Sequence, residues 1–352
     1  MSLINFSQIH PRAFAHPADK RATSAFTQIP MLPELLKKVS QLSCEERFRA
    51  HHMHNSVQLG SNQFPSIWRL VNEVAERLCI PVPKTYVSRQ GVANAFAFGK
   101  NVHSIVLTTE LIELMTEREL QGIIAHEMGH ILCEHLLYMD VGLALTSGAL
   151  PAFARALPGL EESVNGLFFA WFRAAEYSAD RAALLILEDP EPLADCLSRL
   201  AGVPRQLEKE FDLRQFVEQV EDYQQEATLW SKIVTFGMGS FLTHPEPAKR
   251  VGSILEWADS GEYRAILSGR YLTRFEVEVL DRVRIEGIRS CPSCGRAIGE
   301  APVCECGLVQ DPRQQQLCPL NPKHVNGIDW KFCVACGTEL KPDAGRREIP
   351  GD

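Results

Sequence analysis

Apolar residues recur between Ser66 and Cys79 at Ile67, Leu70, Val71, Val74, Ala75 and Leu78. This three-and-four spacing turns one face of a helix toward a core. Pro81-Val82-Pro83 ends the helix, and Lys84–Ser88 then reads as a short strand. Two more short strands, around 95–98 and 103–107, precede helices near 109–139. Downstream, the run from Phe168 to Leu185 predicts a buried helix with a few charges on one side. A helix over Glu191–Leu200 and a charged amphipathic one around Phe211–Trp230 follow, then a loop at Gly237-Met238-Gly239. The first 60 residues are less patterned. Glu34–Val39 is helical in tendency, and His51-His52-Met53-His54 reads as a solvated turn rather than a metal cluster. The pattern predicts an α+β fold rich in helix, with a small sheet.

The chemistry starts at His126-Glu127-Met128-Gly129-His130, set in an apolar helical run. Histidines four apart on a helix share a face, so both imidazoles can reach one metal ion. Glu127 beside them can take a proton from the attacking water. Alone, the pentapeptide could also be a polar interruption of a core helix. A hydrolytic zinc site needs a third protein ligand. The extended motif HExxHxxGxxH is absent, because Cys133 and Leu136 stand where its glycine and last histidine belong. His135, five residues past His130, turns away from the His126/His130 face on a continuous helix and is expected at the helix surface or partly buried. Glu176 and Asp180 are better placed. They share a helix face, and burying two carboxylates there is costly unless a cation receives them. Glu176 would be the third ligand, and Asp180 would accept the other ring N–H of a metal-bound histidine. The competing reading is an Asp180–Arg181 surface pair.

An HExxH helix followed by a helix with Glu-x-x-x-Asp resembles the gluzincin zinc metallopeptidases of the HtpX and CAAX-prenyl-protease type. Three further stretches agree. Asn94-Ala95-Phe96 resembles the family's motif on the strand beside the metal helix, Ser104–Ala125 its entry into that helix, and Thr243-His244-Pro245 its Thr-His-Pro box. The resemblance covers roughly residues 60–260. It implies a zincin-type fold, a catalytic zinc on His126, His130 and Glu176, and Glu127 as general base. It also implies Asn94, Ala95 and Phe96 as a substrate-binding edge. His244 would donate to the oxyanion or occupy the open metal position in a latent state; the alternative is a helix-capping histidine ahead of Pro245.

Seven of the eleven cysteines fall between 291 and 336. Cys291, Cys294, Cys304 and Cys306 form the paired knuckles of a four-thiolate zinc site, and Cys318, His324, Cys333 and Cys336 a second site. This resembles a tandem zinc ribbon and predicts two structural zincs besides the catalytic one. Seven is odd and no secretory signal is visible, so thiolates are favoured over disulfides and a cytoplasmic setting over an oxidising one. Cys44, Cys79, Cys133 and Cys196 read as small buried apolar residues.

The expected organisation is a segment of uncertain role over 1–60, a metallopeptidase domain over 61–265, a helical linker over 266–288, the ribbons over 289–340 and a tail over 341–352. The net charge of −8 implies no general attraction to nucleic acid or anionic membrane, and residues 289–352 balance eight Lys/Arg against eight Asp/Glu. The apolar window Val141–Ala154 is interrupted by Pro151 and is shorter than the roughly 20 residues a membrane span requires. It suits core packing or a weak membrane contact. Expected partners are protein or peptide substrates, with a protein partner at the ribbons. The rival readings are a latent peptidase-fold chaperone or adaptor, and a nucleic-acid-associated protein tethered by its ribbons.

Overall fold

The computed structural model describes residues 3–27, 44–139, 160–226, 246–278, 315–317 and 325–327. Contacts divide the chain into two units, Met1–Tyr271 and Leu272–Asp352. The first unit takes in the N-terminal segment. Phe6, Ile9 and Phe14 are fully buried in its core. The Phe6 N–H donates to the Arg77 carbonyl at 2.8 Å. Arg77 in turn donates to the carbonyls of Ile4 (2.8 Å) and Ile186 (2.6 Å) and pairs with Glu188 at 2.5 Å. Helix α1 (Pro17–Thr27) follows this anchored strap, and the next helix among the described residues is α2 (Cys44–Asn55). The histidines of 51–54 are therefore helical, not on a turn. His52 is buried, bonded through Nδ1 to Ser56 Oγ at 2.9 Å, and its ring stands against Tyr86, Phe96 and Phe98. His51 and His54 are exposed.

A four-stranded sheet has the order β1-β2-β4-β3, with β1 at Val57–Gln58, β2 at Lys84–Ser88, β3 at Ala95–Phe98 and β4 at Ser104–Thr108. Strand β4 is buried along its whole length and runs parallel to β2, while β3 lies antiparallel to β4 at the sheet edge. Between β1 and β2, helix α3 (Pro65–Leu78) buries the six apolar positions its spacing predicts. It starts at Pro65, which lacks the N–H that a first turn cannot use, and stops where Cys79 adopts a left-handed conformation.

After β4, the short α4 (Thr109–Leu114) leads to the metal-motif helix α5 (Glu117–Leu132). A capping box starts α5: Thr116 Oγ1 accepts from the Glu119 N–H, and Glu119 accepts from the Thr116 N–H at 2.6 Å. Every residue of α5 from Glu119 to Leu132 is buried, so this is a central helix without a solvent face. It packs on β3 and, above all, on α6 (Leu160–Leu187). The approach of α5 to α6 depends on Gly129. A Cβ there would stand 2.8 Å from the Ala182 Cβ and 3.0 Å from the Ala179 Cα. Small residues on both helices thus bring the two backbones together where the motif lies.

Among the described residues of the first unit, helices α7 (Glu191–Ala201), α8 (Leu213–Glu226), α9 (Pro247–Ala258) and α10 (Gly261–Leu267) follow. Arg199 of α7 donates to Glu119 at 2.7 Å, a buried pair that ties α7 to the start of α5. Of the second unit, the structure describes antiparallel β5 (Gln315–Leu317) and β6 (Val325–Gly327), in register from Gln315↔Gly327 to Leu317↔Val325. All eight ribbon ligands lie outside the described residues. The architecture is mostly helical with a small sheet. Among the described residues, no helix is long and apolar enough to cross a membrane.

Candidate metal centre

His126, His130 and Glu176 each bring one ligand atom into a cluster whose members lie within 4.8 Å of one another, all three buried. The two Nε2 atoms are 3.1 Å apart. Glu176 Oε1 is 3.2 Å from His130 Nε2, and Oε2 is 3.5 Å from His126 Nε2. The i,i+4 spacing on α5 places the histidines, and the Gly129 contact lets α6 carry Glu176 up to them. Glu127 is also buried on α5.

The other ring nitrogens are held from behind. His126 Nδ1 meets Asp180 Oδ1 at 2.9 Å. Arg250, arriving from α9, grips the same carboxylate with two bonds of 2.6 and 2.7 Å and reaches Glu176 Oε2 at 3.0 Å through Nη1. Burial resists an imidazolium at His126, yet the hydrogen bonds of Asp180 and Glu176 push its pKa up. At His130 burial prevails and pulls the pKa down. Asp180 shows the converse: against its burial, the Arg250 guanidinium keeps its carboxyl below the ordinary range.

His135 departs from the expectation of a surface or partly buried histidine. Helix α5 ends at Leu132, Glu134 takes a positive φ of 60°, and helical backbone resumes over 135–139. This break returns the His135 ring to the site, where it is 3 % exposed and its Nδ1 lies 2.9 Å from His130 Nδ1. Its Nε2 lies 3.1 Å from Asp19 Oδ2 on α1.

The donor set suits zinc: two imidazoles and one carboxylate converge, and the bonds at Nδ1 direct each Nε2 inward. Residues 61–258 match the model of Peptidase family M48. The chain belongs to that family. Among curated proteins, it is 34% identical over 270 residues to the plastoglobule-localized metallopeptidase 48 of Arabidopsis thaliana, covering 74% of this chain and 77% of that one. It is 28% identical over 242 residues to the protease HtpX homologs of Burkholderia lata and Burkholderia multivorans, over 60% of this chain and 80% of each. Family M48 membership, protease-named relatives and the buried donor set together support a zinc metalloprotease.

Of the residues singled out in the sequence, the structure brings together His126, His130, Glu176 and Asp180, with Glu127 buried on the same helix as the two histidines. Arg181 does not pair with Asp180 at the surface. It is buried, donates to the Phe14 carbonyl at 3.0 Å and lies 4.6 Å above the Trp257 ring. Asn94 precedes the edge strand β3, and its backbone exchanges hydrogen bonds with Thr108. His244 lies outside the described residues. Sequence reasoning missed Arg250 and Asp19. Arg250 stood in the stretch that follows His244, where a cation beside two buried carboxylates was the available signal; Asp19 carried none.

Proposed function

We propose that this chain is a zinc-dependent metalloendopeptidase that cleaves unfolded or extended protein segments. The observation that carries this reading is the buried convergence of His126 Nε2, His130 Nε2 and the Glu176 carboxylate, with Glu127 on the same helix. Zinc held there would polarise the scissile carbonyl and acidify the attacking water. Glu127 accepts the water's proton and passes it to the leaving amine. Asp180, itself held by Arg250, orients His126. The edge strand β3, entered through Asn94-Ala95-Phe96, offers backbone groups to an extended substrate, a contact that reads main chain rather than side chains. His244 would donate to the oxyanion or, in a latent state, occupy the open metal position.

The eight C-terminal ligands would hold two structural zincs, on Cys291/Cys294/Cys304/Cys306 and Cys318/His324/Cys333/Cys336, in ribbons that recruit a protein partner or substrate. A thiolate reading of these cysteines suits a reducing compartment such as the cytoplasm.

The test is hydrolysis of denatured casein by wild type and Glu127→Gln at equal zinc content. Loss of the proton acceptor is expected to lower the rate on the order of 10²–10⁴-fold. A fully active Glu127→Gln protein overturns the assignment.

A further inference from the structure

The two histidines of the centre are braced differently. His126 meets its carboxylate, Asp180, directly. On its Nδ1 side, away from Glu176, His130 is linked to a carboxylate through a second imidazole: His130 Nδ1 to His135 Nδ1 at 2.9 Å, then His135 Nε2 to Asp19 Oδ2 at 3.1 Å. Asp19 belongs to α1, outside the residues that match the M48 family model.

Hydrogen-bond direction follows from the last acceptor. Ser178 Oγ donates to Asp19 Oδ2 at 2.6 Å and Thr23 Oγ1 to Oδ1 at 3.0 Å, and Thr23 Oγ1 in turn accepts from Trp171 Nε1 at 2.9 Å. Although burial would raise it, the bonds from His135, Ser178 and Thr23 hold the Asp19 carboxyl below its ordinary range, so it is an ionised acceptor. His135 must then donate from Nε2, which leaves Nδ1 as an acceptor for the Nδ1–H of His130. That tautomer of His130 presents the Nε2 lone pair to the metal position. Reversing any link would place a proton on the nitrogen that has to ligate.

We propose that Asp19 is a positioning residue for the metal ligand His130, acting through His135, so that the N-terminal helix is a determinant of zinc retention. The inference rests on the metal site of the preceding subsection. Partners of ligating histidines typically contribute tenfold to a hundredfold in metal affinity. A helix from the chain's N-terminus therefore completes a centre whose ligands stand more than a hundred residues downstream.

The experiment is competitive chelator titration of zinc on the full chain, with thermal unfolding of the metal-free proteins alongside. The set is wild type, Glu176→Gln, Asp19→Asn, His135→Gln and the double variant. Asp19→Asn removes the anion with little change of shape, and His135→Gln removes the ring that joins His130 to Asp19. We expect each single variant to lose about tenfold to a hundredfold in affinity at the catalytic site. We expect Asp19→Asn to add no further loss in the His135→Gln background, a non-additivity that simple loosening of α1 would not produce. Unchanged affinity in Asp19→Asn, or equal losses from it in both backgrounds, overturns the inference while leaving the metal site intact. If wild type and Glu176→Gln bind equal amounts of zinc, the metal-site reading fails and the inference with it. Should Asp19→Asn not fold, His135→Gln decides: wild-type affinity there overturns the proposal and the expected loss sustains it.

Discussion

Arg250 lies between two carboxylates, hydrogen-bonded twice to Asp180 and ion-paired with Glu176, and is 4 % exposed. A guanidinium is suited to this position because its planar fork serves several oxygens at once. Burial opposes the charge, but Asp180 and Glu176 raise its pKa, so it stays cationic. Replacing it by an apolar side chain of similar length strands both carboxylates. Breaking a buried pair in this way costs about 3–5 kcal/mol. We expect Arg250→Met to lower the denaturation free energy of the metal-free protein by that order. Zinc, with two positive charges, should restore part of it, so the difference between urea curves with zinc and with chelator widens.

At the scale of elements, the site depends on how helices start, stop and approach. The capping box starts α5 at Thr116, and the left-handed Glu134 stops it and returns His135 to the centre. Gly129 brings α6 within reach. Helix α1 begins with its own cap, in which the Ala18 N–H donates to His16 Nδ1 at 3.1 Å, and this acceptor must be unprotonated. Burial, with the Arg181 and Arg21 charges nearby, lowers the His16 pKa to about 4. The unfolded chain, with a histidine near 6.5, binds the proton more readily. Stability from this neutral ring is therefore present above about pH 6.5 and declines as pH falls toward 4. Protonation also removes the cap. We expect amide exchange in α1 to accelerate between pH 6.5 and 4, and His16→Asn, which caps without titrating, to reduce that acceleration. Equal pH dependence in both proteins would exclude His16 as its source.

At the scale of the whole molecule, three zincs per chain are expected, one in the first unit and two among the C-terminal cysteines. Metal analysis of the purified protein checks this. Glu176→Gln should lower the content by one and leave the other two, whereas a content of one in wild type would remove the ribbon reading.

Much of the candidate metal site was legible because it is written in short-range spacing. HExxH places two imidazoles on one helix face whatever surrounds it, Glu-x-x-x-Asp does the same for two carboxylates, and the boundaries of α3, β2 and β3 follow from apolar periodicity and proline. The sequence by itself determined these elements, the three candidate ligands and the family resemblance. What it left open were contacts between residues far apart in the chain. His135 was read on a continuous helix, and nothing in the local pattern announced the left-handed Glu134 that swings it back. His52, expected on a solvated turn, lies in an aromatic pocket built by β2 and β3. Asp19 looks like any first-turn carboxylate until α1 is packed on α6. Only the tertiary structure decided these points, because a buried polar group must find partners wherever packing supplies them, and the energy of that match belongs to the assembled core rather than to either segment.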